Sequence, residues 1–192
     1  MPHRIALAVE GPSDRAVLET LCRKAGHHAK AGQAEGKNHL FQRFVKILRV
    51  LEVTFRPTHF LVVADLHPET ACPPEADKWR NAIRQRFPKA QLCLSVWELE
   101  AWLLADPKAV VQVLRVRNFH HPNPDAIGGQ KPSELLENLY RNTLGYGRGL
   151  AYDKQADGTA LAELLDVETA ARNSPSFAHF MKAMRSRQER LA

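Results

Sequence analysis

With 192 residues, 44% of them hydrophobic and 25% charged, the chain carries enough apolar material for one good core and argues against disorder. Its net charge of +6 is a modest basic excess, compatible with nucleic-acid binding without being diagnostic of it. Cys22, Cys72 and Cys93 are widely spaced and form no Cys-x-x-Cys, which speaks against a zinc knuckle or a disulfide framework and fits a cytoplasmic protein. No apolar run approaches the roughly 20 residues of a membrane helix, and the start Met1-Pro-His-Arg4 runs into the first strand with no signal segment.

The first element lies in Arg4-Ile-Ala-Leu-Ala-Val-Glu-Gly-Pro-Ser-Asp14. Five small or branched apolar residues cut off by Glu10-Gly11-Pro12 predict a buried strand that stops at an acid and feeds a helix. In an open α/β sheet the carboxyl ends of parallel strands form the ligand crevice, so Glu10 would stand on its edge. Gly11 eases the turn and Pro12 suits the first helical position. Asp14 falls in the first helical turn, where it would face the same crevice. Taken alone it is an ordinary first-turn acid favoured by the helix dipole. Together the two carboxylates make a hard-oxygen pair suited to Mg²⁺ or Mn²⁺.

Arg15 to Ala25 carries Val17, Leu18, Leu21 and Cys22 at helical spacing and should pack on the sheet, with Gly26 closing the helix. Gly26 to His39, with three glycines and three histidines, reads as a loop or an irregular edge strand. His27 and His28 lack the spacing of a helical metal site and read as solvated. Leu40 to Val53 is an amphipathic helix whose polar face, with Arg43, Lys46 and Arg49, reads as solvated. Phe60 to Ala64 is a second buried strand, and it too delivers an acid, Asp65, to the sheet edge. His67 would share that side if the strand reached it; a loop histidine beside Pro68 is an equal reading.

Pro73 to Phe87 suits a crossover helix with Trp79, Ile83 and Phe87 on one face. Gln91 to Trp97 makes a third strand, followed at once by Glu98 and Glu100. Three strands thus end in acids, which scattered surface carboxylates do not predict. Glu98 and Glu100 share a side only on an extended chain, since two helical positions diverge by about 200°; of the two, Glu98 is the preferred ligand.

Beyond Pro107 the sheet signal fades. Ala109 to Val116 is apolar and β-branched, Asn118 to Gly129 reads as a loop containing His120 and His121, and Pro132 to Arg141 as a helix with Ser133 as a possible cap. Gly145 to Gly158 reads as a glycine-rich loop, a lid or a nucleic-acid contact. Leu161 to Ala171 and Phe177 to Leu191 read as helices, the last carrying Lys182, Arg185, Arg187 and Arg190 as a solvated tail or phosphate contact.

These motifs resemble a Toprim domain, the metal-binding fold of topoisomerases, primases and several nucleases. Val9-Glu10-Gly11-x-x-Asp14 resembles the Toprim glutamate motif, and Val62-Val63-Ala64-Asp65-x-His67 sits where those proteins carry Asp-x-Asp. With Glu98-Leu-Glu-Ala-Trp-Leu-Leu-Ala-Asp106, Asp157-Gly158 and Ser174-Pro-Ser-Phe177, the chain resembles a bacterial family catalogued as domain of unknown function 4276, over nearly its whole length.

The resemblance implies a Toprim-like, mostly parallel sheet flanked by helices over residues 1–106, with a helical extension over 107–192 packed on it as one unit. Similarity to the Toprim half of the overcoming-lysogenisation-defect nucleases implies that Glu10, Asp14, Asp65 and Glu98 surround one or two Mg²⁺ or Mn²⁺ ions. Glu100 and His67 are further ligands in that scheme, and Glu10, Asp65 and Lys154 its catalytic groups. The imidazole of His67 replaces a carboxylate of that motif and shifts preference towards Mn²⁺ or a transition metal. Members of the small family are often encoded beside ABC-type ATPases, which implies a partner of that kind in phage defence or DNA processing. The function so implied is metal-dependent cleavage of DNA phosphodiesters. The alternative is a catalytically silent Toprim-like subunit that regulates such an ATPase; a phosphohydrolase of the receiver or haloacid-dehalogenase type ranks last, because Glu10 stands where those need a nucleophilic Asp.

Overall fold

The first strand, β1 (Arg4–Val9), is buried on both faces from Ile5 onward, as a central strand of a parallel sheet must be. A computed structural model describes residues 2–66, 73–120, 123–126, 130–144 and 151–185. His67, Cys72, His121, Gly128, Gly129, the stretch 145–150, Arg187 and Arg190 lie outside the described residues. Pro12 opens α1 (Pro12–Lys24), whose chain returns through β2 (His28–Gln33), α2 (Lys37–Phe55), β3 (His59–Leu66), α3 (Pro73–Arg86) and β4 (Ala90–Val96). The four strands run parallel in the order β2-β1-β3-β4.

Strand alternation sorts the core into two layers. Ile5, Leu7 and Val9 meet Val17, Leu18 and Leu21 of α1 on one face. Ala6, Ala8, Phe60 and Val62 meet Leu40, Phe44 and Leu48 of α2, and Trp79 and Ile83 of α3, on the other. The chain therefore leaves β1 towards one face and β3 towards the opposite one. Between two adjacent parallel strands whose helices part in this way, a crevice opens at their carboxyl ends. Glu10 and Asp65 occupy those two ends.

The glycine- and histidine-rich stretch is resolved as the edge strand β2. Gly32 is required there by proximity: a Cβ at this position would stand 2.4 Å from Ile47 Cγ2 of α2. Ile47 is branched at Cβ and cannot yield cheaply. Gly32→Ala is expected to cost about 1–3 kcal/mol by overpacking, read as a lowered urea midpoint with an unchanged slope. His27 departs from its solvated reading: it is half-buried against the His3 ring at 5.2 Å, and its Nδ1 accepts the His3 N–H at 3.2 Å. This pair lies at the amino ends of the strands, away from the crevice.

Beyond β4 the chain is helical: α4 (Glu100–Leu104), α5 (Pro107–Leu114), a 3₁₀ turn (Pro124–Ala126), α6 (Pro132–Leu144), α7 (Ala156–Leu164), α8 (Val167–Asn173) and α9 (Pro175–Arg185). The β-branched run after Pro107 is a helix because Asp106 caps it, accepting the Lys108 N–H at 3.0 Å, with Pro107 preset at the first position. The helix expected over Leu161 to Ala171 is split in two. Asp166 starts α8 afresh by accepting the Thr169 N–H at 2.8 Å. Ser133 lies one residue inside α6 and is not its cap. Gly158 sits buried within α7, so the tail of the glycine-rich stretch is helix, not loop. Leu136, Leu161, Phe177 and Phe180 from these helices share one core with β1 and α1.

Candidate active site

Backbone geometry fixes the first two acids. Glu10 Oε1 accepts the Asp65 N–H at 2.9 Å, so the carboxylate ending β1 reaches across to the end of β3. Asp65 pairs in register with Ser95 of β4, and the Ser95 hydroxyl donates to Asp65 Oδ1 at 2.6 Å. Asp14, one turn into α1, accepts the Gly11 N–H through Oδ2 at 2.9 Å. All three carboxylates thus keep a second oxygen free of these backbone or hydroxyl bonds.

A strained turn delivers the other two. Trp97 has φ of 69°, its N–H donates to the Leu66 carbonyl at 2.9 Å, and the Glu98 N–H donates back to the Val96 carbonyl at 3.1 Å. This three-residue turn is a sparsely populated conformation for a bulky side chain, held here by the β3 contact. It places Glu98 before the helix and Glu100 at its first position, so the helical divergence of 200° does not apply. Both end on one lysine: Lys154 Nζ lies 3.0 Å from Glu100 Oε1 and 3.9 Å from Glu98 Oε1. Glu98 is additionally tied to α6, accepting the Ser133 N–H at 3.1 Å through Oε2. The two are only 8% and 6% exposed.

Burial, and after it the crowding of like charges, raises the carboxyl pKa values in the crevice. Burial and then Glu10 push Asp65 well above the usual carboxylate range, with Asp14 and Glu100 adding to the rise and the Ser95 hydroxyl opposing it. Glu10 is raised by burial, against the Asp65 N–H and the Lys37 ammonium. Asp14 is raised to about 6 by burial, Glu10 and Glu100, against the Gly11 N–H and Lys154. Glu100 is raised by burial and Glu98, against Lys154. Burial disfavours charge on Lys154, yet Glu100 and Glu98 carry its pKa upward. Glu100, more than Glu98, therefore belongs to the field of Asp14 and Asp65.

A stability consequence follows with a definite sign. The folded protein holds the Asp14 proton up to a pH of about 6, whereas the unfolded chain releases it near 3.8. Where the native state binds more protons, stability falls as pH rises. Without metal, the melting temperature is expected to fall between pH 4 and pH 6, and Asp14→Asn to flatten that slope, both read by calorimetry.

Of the residues singled out in the sequence, Glu10, Asp14, Asp65, Glu98, Glu100 and Lys154 come together at the carboxyl end of the sheet, and His67 lies outside the described residues. Among the described residues no group of three or more His, Cys, Asp or Glu is arranged to hold a metal ion. Other contributors escaped the sequence reading. Ser95 orients Asp65, Lys37 acts on Glu10, and Tyr152 brings a buried hydroxyl that has no hydrogen-bond partner among the described residues. A serine inside an otherwise apolar strand was the visible signal for Ser95; its role needs the strand register. Several other motif residues are structural. Asp106 also accepts the Asp166 N–H at 2.8 Å, Asp157 accepts the Asp153 N–H at 2.9 Å, and the Ser174 hydroxyl accepts the Phe177 N–H at 3.1 Å to cap α9.

Compared with known families, residues 9–185 match the model described as Domain of unknown function (DUF4276). The chain belongs to the DUF4276 family. The match opens one residue before Glu10 and closes at the end of α9, so the whole acid crevice and Lys154 of this DUF4276 protein fall inside it. No curated protein and no solved structure matches the chain. No helix among the described residues is long and apolar enough to cross a membrane.

Proposed function

We propose that this DUF4276 protein is a divalent-metal-dependent nuclease that cleaves DNA phosphodiesters, with a Toprim-like use of its strand-end acids. The observation that carries the reading is the convergence of Glu10, Asp14, Asp65 and Glu100 in one crevice: Glu10 reaches across to the Asp65 N–H, and after burial Glu10, Asp14 and Glu100 all raise the proton affinity of Asp65, as Glu10 and Glu100 do that of Asp14. Such a donor set is all oxygen, hard, and short of positive charge, which fits Mg²⁺ or Mn²⁺ in its chemistry. Glu10, Asp14, Asp65 and Glu100 would hold the ion, with Glu98 and His67 as further ligands. When bound, such an ion supplies Lewis-acid polarisation of a phosphoryl oxygen and an acidified water.

The chain's own groups complete the chemistry. Ser95 keeps Asp65 in one rotamer, and the Asp65 N–H does the same for Glu10, so both carboxylates meet the reaction preorganised. Lys154 helps to line an open pocket of about 470 Å³ together with Ser133, Asn138, Arg141, Tyr152 and the carboxylates of Glu134 and Glu137. Its ammonium would offset negative charge developing on the phosphoryl oxygens. Association with an ABC-type ATPase is a further part of the proposal, supported by the motif resemblance.

A second reading is favoured by one observation: no three of the described acids are arranged for an ion as they stand. On that reading the protein is a catalytically silent regulatory subunit. Incubation of plasmid and single-stranded DNA with Mn²⁺, with and without EDTA, separates the two. EDTA-sensitive cleavage lost in Glu10→Ala and Asp65→Ala supports the nuclease. Cleavage that survives both substitutions, or no Mn²⁺ binding alongside stable co-purification with an ABC-type ATPase, goes against it.

A further inference from the structure

Lys154 stands where the crevice calls for a cation. Besides its contacts with Glu100 and Glu98, its charge reaches Asp14 and Asp65. The backbone around it is pinned. The Tyr152 N–H donates to Glu137 Oε2 of α6 at 2.6 Å, and Asp153 Oδ1 accepts the N–H groups of Gln155 and Ala156 at 2.8 and 2.7 Å, starting α7. The side chain is nonetheless 49% exposed. A fixed base with a long, half-solvated stem lets the ammonium leave the acids without movement of the main chain.

We infer that Lys154 is a tethered cation that holds Glu98 and Glu100 in the metal-free protein and competes with a divalent ion for them. The inference rests on the metal-dependent reading above. One ammonium cannot neutralise four crowded carboxylates, so a doubly charged ion has the advantage. The lysine is half-exposed and regains hydration on leaving, whereas Glu98 and Glu100 are buried, so the amine is displaced only as the ion takes over their charge. The same arrangement keeps Glu100 from an ion as it stands, its Oε1 lying 3.0 Å from the amine, while Glu98 is held by the Ser133 N–H as well. Loading the ion would then release the amine towards the adjoining pocket, which Ser133, Arg141 and the carboxylates of Glu134 and Glu137 also line.

Titration calorimetry with Mn²⁺ alone, on the full chain at neutral pH, tests this. Lys154→Gln is expected to bind Mn²⁺ about tenfold more tightly than the unsubstituted protein, about 1.4 kcal/mol, and Lys154→Arg no more tightly. On the unsubstituted protein, amine labelling of Lys154 mapped by mass spectrometry is expected to speed up several-fold when Mn²⁺ is added. Binding by the unsubstituted protein that Lys154→Gln leaves unchanged or weakens, or labelling of Lys154 indifferent to Mn²⁺ that binds, overturns the latch and leaves the metal reading standing. Failure of both proteins to bind overturns the metal reading, and the latch with it.

Discussion

Asp65→Asn is expected to abolish Mn²⁺-dependent cleavage, by about 10³-fold or more, while making the metal-free protein more stable. The two effects have one cause. Asp65 is forced into a crevice beside Glu10, Asp14 and Glu100, and burial with those neighbours raises its pKa well above the usual range. At neutral pH the native protein must either tolerate that charge or take up a proton, and both costs vanish with a neutral amide of the same shape. The amide oxygen can still accept from Ser95, whose hydroxyl lies 2.6 Å from Asp65 Oδ1. A gain of about 1–2 kcal/mol is expected, or a few degrees in melting temperature for a chain of this size. Because the raised pKa makes the unsubstituted protein lose stability as pH rises, the gap between the two should widen from about pH 4 upward and close below it. A purely structural aspartate would give the opposite sign.

Trp102→Ala is expected to give the largest loss of stability. The indole is fully buried, lies 4.9 Å from the Phe180 ring and 5.5 Å from the Phe177 ring, and donates through Nε1 to Ser176 Oγ at 2.7 Å. Ser176 in turn leans on Asp125, which also accepts from its N–H at 2.8 Å and from the Ser174 hydroxyl at 2.9 Å. Truncation would open a cavity where α4 meets α9 and strip this network of its central donor, costing about 3–5 kcal/mol. Chemical denaturation reads the loss directly. Since α4 begins at Glu100, any folded remainder should also bind Mn²⁺ more weakly. Trp102→Phe keeps most of the packing, loses one hydrogen bond, and should cost about 1–2 kcal/mol.

The strands and their terminal acids were legible because the signal is local: an apolar run long enough for one strand, then a carboxylate, then a turn residue. The same holds for α1 and α2, whose apolar stripes have helical spacing. Where the sequence was misread or left without an assigned element, a further constraint decided. The β-branched residues after Pro107 became helical because Asp106 caps them and also ties to Asp166 sixty residues on. One expected helix became α7 and α8 because Asp166 supplied a fresh cap. Helical geometry separated Glu98 from Glu100, but the Trp97 turn, fixed by a bond to the Leu66 carbonyl, brings both to Lys154. Ser95 stood out as a polar residue in its strand, but its role did not, because its partnership with Asp65 exists only through the register of β3 against β4.

In the proposed function Glu10 and Asp65 grip a divalent ion between the ends of two adjacent strands. Anomalous diffraction from a crystal soaked in Mn²⁺ tests it most directly. A manganese peak is expected within bonding distance of carboxylate oxygens from both Glu10 and Asp65, absent from an Asp65→Asn crystal soaked alongside. A crevice without a peak, or a peak that persists when Asp65 is neutralised, would contradict it.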